Sequence, residues 1–286
     1  MFGMSKNRMI RVFIYLKKDM SDPLYQNIAP GLAYYFLLSL IPIFLLLGQI
    51  SGLFSVSMTY IADHIGSYLP EELTDFILPF LSSEIGRGGL IANVIFLVTT
   101  LYLASRAMYA LIKISDYAYE IPLPDAKFAV TKMFIKQHIK AIIMTFFMLF
   151  ILLFSLFIIV FGRNAIDLLL TVFHADAFYL YLDKLWNRLV LPLTFILFFF
   201  LLLLMYWTMP SKRIHVKLVL PGTVFASTGI IVASFLYMIY VKYFCNYNLI
   251  YGALSSIMIL LLWFFIIGYI LELGILINSA VERSRR

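Results

Sequence analysis

Charge is what this chain has least of. Only 13% of its residues are Asp, Glu, Lys or Arg, and 63% are hydrophobic. A soluble domain has about 25% charged and about 45–50% apolar residues, so too few polar side chains remain to cover a water-facing surface. Cysteine is nearly missing as well: the single Cys245 can close no internal disulfide and supplies no cysteine-rich metal site. The histidines His64, His138, His174 and His215 stand far apart, without His-x-His or His-x-x-x-His spacing. The clustered ligands that metal-dependent RNA hydrolysis needs are therefore lacking. No G-x-x-x-x-G-K-[ST] run occurs, and "GRGG" at 86–89 reads as a turn, which leaves ATP hydrolysis without its phosphate-cradling loop. No cofactor and no metal are expected.

What is present is a series of long uncharged runs, each near the roughly 20 residues that cross a bilayer. They lie at about 28–53, 90–112, 141–161, 189–209, 218–241 and 252–279. A segment in lipid must satisfy its own backbone, so each is expected to be an α-helix. The expected fold is all-α and polytopic. A single membrane domain of six transmembrane helices, residues 28–281, follows an amphipathic segment 1–27 and precedes a basic tail 282–286. The first span is too long and too late for a cleaved signal peptide, and no A-x-A site follows the basic residues before it.

The connections 54–89 and 164–186 carry helical periodicity, with Ile61, Ile65, Tyr68 and Leu69 in one and Ile166, Leu169, Val172 and Phe173 in the other. Both read as amphipathic interfacial helices in the outer loops. "NRMIRVFIYLKK" puts Met9, Ile10, Phe13 and Leu16 toward lipid and its basic residues toward anionic headgroups. Trp186 and Trp207 bracket the fourth span as an aromatic belt does.

Lys and Arg placement orients the chain. Sixteen of the 22 fall in segment 1–27, the second-to-third and fourth-to-fifth connections and the tail, five fall on the other side, and Arg106 lies within a span. Positive loops stay inside, so both termini are expected in the cytoplasm of a bacterium, with the protein in its plasma (inner) membrane. The net charge of +7 follows from this bias and is no sign of nucleic-acid binding.

The polar residues of the spans are concentrated in the first, second, fifth and sixth: Ser39 and Gln49, Asn93 and Arg106, Thr223 and Ser227, Glu272 and Asn278. Of these, Arg106, Glu272, Asn93, Gln49, Ser39 and Asn278 are the residues of a candidate pathway. Pro42 breaks a backbone hydrogen bond in mid-span and is a candidate hinge. Gly222, Ala226, Gly229 and Ala233 recur at spacings of four, three and four, one small-residue face suited to close helix packing. Arg106 and Glu272 are opposite in sign and both lie about 10 Å from the cytoplasmic ends of their spans, at about 1.5 Å per residue. They could pair with each other, or Arg106 could snorkel to the interface on its long stem. Asp116 and Glu120, four apart beside Lys113, are expected on a solvated face rather than around a metal.

Three stretches carry a family resemblance. "APGLAYYFLLSLIPIFLLL", "SRAMYALIKISDYAYEIP" and "YGALSSIMILLLWFFIIGYILELGILINSA" resemble the first, second and last spans of the YihY/virulence factor BrkB family, integral inner-membrane proteins formerly mislabelled ribonuclease BN. The resemblance runs from about residue 5 to residue 281. It implies a six-helix fold and a role in transport or envelope maintenance. Family members usually read Gly-Ala-Glu near the end of the last helix, where this chain has Gly274, Ile275 and Leu276. Its own acidic residue, Glu272, lies one turn away from the usual position.

The function expected is translocation of a lipid or small amphiphile by a membrane protein without its own ATPase. The alternatives are a non-transporting scaffold for envelope maintenance and, third, a membrane enzyme acting on lipid headgroups. No catalytic residue stands out, and ribonuclease activity is rejected. Expected partners are the bilayer, anionic lipid headgroups, and a further copy of the chain or an envelope protein.

Overall fold

The computed structural model describes residues 6–53, 90–122, 132–151, 179–244 and 254–285. Within them the chain is helical, and no strand occurs among the described residues. A short amphipathic α1 (Lys6–Met20) and one-turn α2 (Pro23–Gln26) lead into α3 (Ile28–Leu53). Then come α4 (Leu90–Ala118), α5 (Lys132–Ile151), α6 (Tyr179–Thr208), α7 (Val216–Phe244) and α8 (Leu254–Arg283).

Four described stretches are long and apolar enough to cross a membrane: Leu97–Ala118, Lys132–Ile151, Val216–Val241 and Ile257–Arg283. Pro192–Thr208 in α6 is a shorter apolar helix. Several helices outrun the apolar segments from which they were expected: α4 continues to Ala118, α6 begins at Tyr179, and α8 reaches Arg283. Hydropathy ends where charge begins, but a backbone ladder does not. The outer connections at 54–89 and 164–178 lie outside the described residues, while 179–186 form the start of α6.

Local chemistry explains the chain reversals. Asp22 caps α2, accepting from the Leu24 N–H at 3.0 Å ahead of Pro23 in the first turn. At the end of α4, Glu120 takes φ 53°. The Ile121 N–H donates to the Asp116 carbonyl at 3.0 Å, the six-to-one bond of a Schellman stop. Trp207 donates to the Ile214 carbonyl at 2.9 Å and closes the α6–α7 turn.

α3 packs on α4 and α8, α8 also packs on α7, and α7 packs on α6. α1 lies against the end of α8. The main apolar cluster sits toward the end of the bundle that holds both chain termini and includes Leu111, Ile112, Tyr119, Met209, Val219 and Ile275. Large apolar side chains such as Ile91, Val98, Phe200 and Phe235 point outward from α4, α6 and α7. Such an apolar exterior suits a lipid surround.

Candidate functional site

Glu272 is buried in the helical bundle, 3% exposed on α8. One turn before it, Gly268 lets the start of α3 come close, since a Cβ there would stand 3.2 Å from the Ala29 carbonyl and from Leu32. That approach brings the Ala29 amide, one of the N–H groups an α-helix leaves free at its start, into a hydrogen bond with the Glu272 carboxylate. The carboxylate thus caps α3 from another helix, at the positive end of its dipole. Its second oxygen, Oε2, is buried without a hydrogen-bond partner among the described residues.

Asn278 lies nearly two turns further along α8. Its Oδ1 accepts from the Gly222 N–H of α7 at 2.7 Å, while its Nδ2 is buried without a partner. Gly222 can have no larger side chain, because a Cβ would run into the Gly274 carbonyl and the Asn278 amide. Gly274 in turn faces Tyr206, whose hydroxyl donates to the Leu271 carbonyl at 3.0 Å. Three helices therefore meet at these two glycines. Ala226 is fully buried and Gly229 faces Ile270, while Ala233 is half-buried. Ser39 is buried on α3 and donates to the Phe36 carbonyl. Thr100 on α4 is buried with its hydroxyl unpartnered. The side chains of Pro42, Gln49 and Asn93 lie outside the described part of α3 and α4.

Arg106 does not meet Glu272. Its guanidinium lies over the ring of Tyr102, 5.8 Å from the centroid, and it forms no ion pair or hydrogen bond among the described residues. The reason is azimuth. Ser105, Ala107, Met108 and Leu111 turn the other face of α4 inward. Arg106 shares the outward stripe of Ile91, Ile95, Val98, Tyr102 and Tyr117.

The solvated face expected for Asp116 is also corrected. Asp116 is 4% exposed. Its Oδ1 accepts from the Ser211 N–H at 2.7 Å, and its Oδ2 accepts from Gln137 Nε2 at 2.7 Å and from the Ser211 hydroxyl. Lys140 stands nearby, donating to the carbonyls of Met209 and Pro210 at 2.7 and 3.0 Å. One carboxylate thereby ties α4, α5 and the α6–α7 turn together. Glu120, four residues on, lies past the end of α4 and points elsewhere.

A second ionic group latches α1. Arg283, in the last turn of α8, pairs with Asp19 of α1, with Glu120 at 3.5 Å, and stacks over Tyr15 at 5.0 Å. Burial raises the Asp19 carboxyl above its usual range, by more than the neighbouring Arg283 lowers it. Arg8 adds a hydrogen bond to Ser284 at 3.1 Å. Lys212 donates to the Tyr119 carbonyl at 3.0 Å, lies over the Tyr119 ring and reaches Glu282 at 3.5 Å. The segment expected as a basic tail therefore starts as the closing turn of α8, with Arg283 buried. Sequence reasoning missed this latch; the signal was one acidic residue, Asp19, inside a basic amphipathic helix. Among the described residues, no three of His, Cys, Asp and Glu converge as a metal-binding group.

Comparison with known proteins places this architecture. The family model described as virulence factor BrkB matches residues 18–286. The chain belongs to the virulence factor BrkB family. It is similar to the ribonuclease-like protein YfkH of Bacillus subtilis, 28% identical over 273 residues and 91% of each chain. A UPF0761 membrane protein of Coxiella burnetii is 30% identical over 93 residues, covering 32% of this chain and 34% of that one. A Pseudomonas aeruginosa UPF0761 membrane protein is 34% identical over 96 residues, 34% of this chain and 23% of its own. No solved structure matches. This BrkB-family chain is thus an all-helical membrane protein whose polar residues collect inside the bundle and at its terminal end.

Proposed function

We propose that this protein moves an amphipathic molecule, a lipid foremost, across a bacterial inner membrane without hydrolysing ATP and without an enzymatic step of its own. The observation that carries the reading is that three of the buried polar atoms left without partners among the described residues, Glu272 Oε2, Asn278 Nδ2 and Thr100 Oγ1, lie within the helices that flank α3. Inside a membrane protein an unmet donor or acceptor costs roughly 1–3 kcal/mol. A polar headgroup passing between α3, α4, α7 and α8 would meet them. The topology that goes with this reading has six spans and both termini in the cytoplasm, on the strength of the Lys and Arg bias. The ionic latch around Arg283 and the Asp116 knot then close the cytoplasmic end.

The test is flux of a fluorescent phospholipid across proteoliposomes. The parent protein accelerates it, and the size-conserving Glu272→Gln and Thr100→Val slow it while keeping the parent's unfolding temperature to within a few degrees. A parent protein no faster than empty vesicles, or variants as fast as the parent, would remove the role. The scaffold reading draws on the close α7–α8 contact at Gly222 and Gly274, and it expects no flux at all.

A further inference from the structure

Arg106 is a charge that neither the interior polar groups nor the terminal network uses. It lies near the middle of the membrane-length stretch Leu97–Ala118, on the outward stripe of α4. A guanidinium stays charged at any physiological pH, and an arginine at membrane depth normally turns inward or finds an opposite charge. This one does neither among the described residues. Its surroundings are aromatic: Tyr102 beneath the guanidinium, and one turn on Tyr109, whose ring stacks on His138 of α5 at 3.9 Å. Phe134 packs against both at 5.8 and 4.1 Å from Tyr109 and His138. The Nδ1 of His138 is engaged by the Phe134 carbonyl at 3.0 Å, so its ring is held as a wall. Lys113, two turns from Arg106, is exposed on the same stripe.

We infer that Arg106, over Tyr102 and one turn from the stack of Tyr109, His138 and Phe134, is a lateral binding site for the phosphate of an anionic phospholipid. The chemistry is specific in kind. A guanidinium binds a phosphate through two parallel charge-assisted hydrogen bonds, the aromatic walls accept the glycerol and upper acyl chain, and Lys113 adds charge toward the headgroup layer. The site faces away from the α3–α8 interior, so it stands whether or not the protein translocates lipid.

The experiment is native mass spectrometry of the full chain, delipidated in detergent and titrated with phosphatidylglycerol or phosphatidylcholine of matched acyl chains. The parent prefers phosphatidylglycerol by about tenfold, because both lipids carry the phosphodiester but the choline cation of phosphatidylcholine offsets its charge and repels the guanidinium. Arg106→Gln erases the preference, and Arg106→Lys, which keeps charge but not the paired geometry, retains part of it. Arg11→Gln on the exposed face of α1 leaves it intact. Inorganic phosphate in millimolar excess does not displace the lipid. Undiminished preference in Arg106→Gln would overturn the site. Displacement by inorganic phosphate would overturn its assignment to a lipid, and should Arg106→Gln fail to fold, a parent-like affinity in Arg106→Lys and in Tyr109→Leu together would overturn it equally.

Discussion

Asp116 collects three hydrogen bonds from two other parts of the chain, and its removal strands the buried Gln137 side chain and unties the Ser211 turn. Asp116→Ala should cost roughly 2–4 kcal/mol, read as a clear fall in thermal unfolding temperature in detergent, with Asp116→Asn losing less. A fall no larger than that of exposed Lys113→Ala would contradict the knot. Glu120 is a different case. Its left-handed φ of 53° costs about 1 kcal/mol for a residue with a Cβ, while its half-exposed pair with Arg283 contributes about 0–1 kcal/mol. Glu120→Gly is therefore close to neutral, and Glu120→Val unfolds at a lower temperature than Glu120→Gly. Equal temperatures for the two would argue against the strain. The spacing of Asp116 and Glu120 was legible in the sequence, but facing at i and i+4 holds only while the helix continues. α4 ends between them. Arg106 and Glu272 teach the same lesson about a second coordinate. Depth along a helix follows from counting residues, whereas azimuth depends on which neighbours pack where, and there the two part.

Among the elements, α7 and α8 show what a small-residue stripe is for. The spacing of Gly222, Ala226, Gly229 and Ala233 marks one face without naming its partner; the structure supplies α8. The four positions are unequal. Gly222→Ala sets a Cβ against backbone and should destabilise by about 1–3 kcal/mol or more. At Gly229 the nearest atom is the Ile270 side chain at 3.2 Å, which can rotate, so Gly229→Ala costs less than about 1.5 kcal/mol. Reversible unfolding in mixed detergent ranks the two, and an inverted order would refute the crossing point. α1 was legible as an amphipathic helix: Phe13 is 70% exposed with Met9 and Ile10 beside it. Its docking was not, because Val12 and Asp19 turn a third face onto α8. Asp19→Ala leaves Arg283 short of its nearest carboxylate. It should speed proteolytic cleavage within residues 6–20 several-fold; cleavage at the parent rate would show that α1 holds without the latch.

At the scale of the whole molecule, hydropathy located the helices because lipid allows a chain few other solutions. It did not give their lateral order or their full lengths. The order α6–α7–α8–α3–α4 rests on side-chain fit at glycines and on carboxylates reaching between helices, neither of which leaves a periodic mark. Nor did it separate a polar interior from a charged flank, which differ only in rotation about a helix axis. The central claim is that the bundle interior is reached by water and by polar groups when the protein sits in a bilayer. Ser39 lies near the middle of α3 and is 5% exposed, while Ala226 is wholly buried in the α7 packing face. With Cys245 replaced by serine, Ser39→Cys and Ala226→Cys in proteoliposomes are each treated with a small water-soluble thiol reagent. The account predicts that Ser39→Cys is modified and Ala226→Cys is not; a Ser39→Cys protein as inert as Ala226→Cys would contradict it.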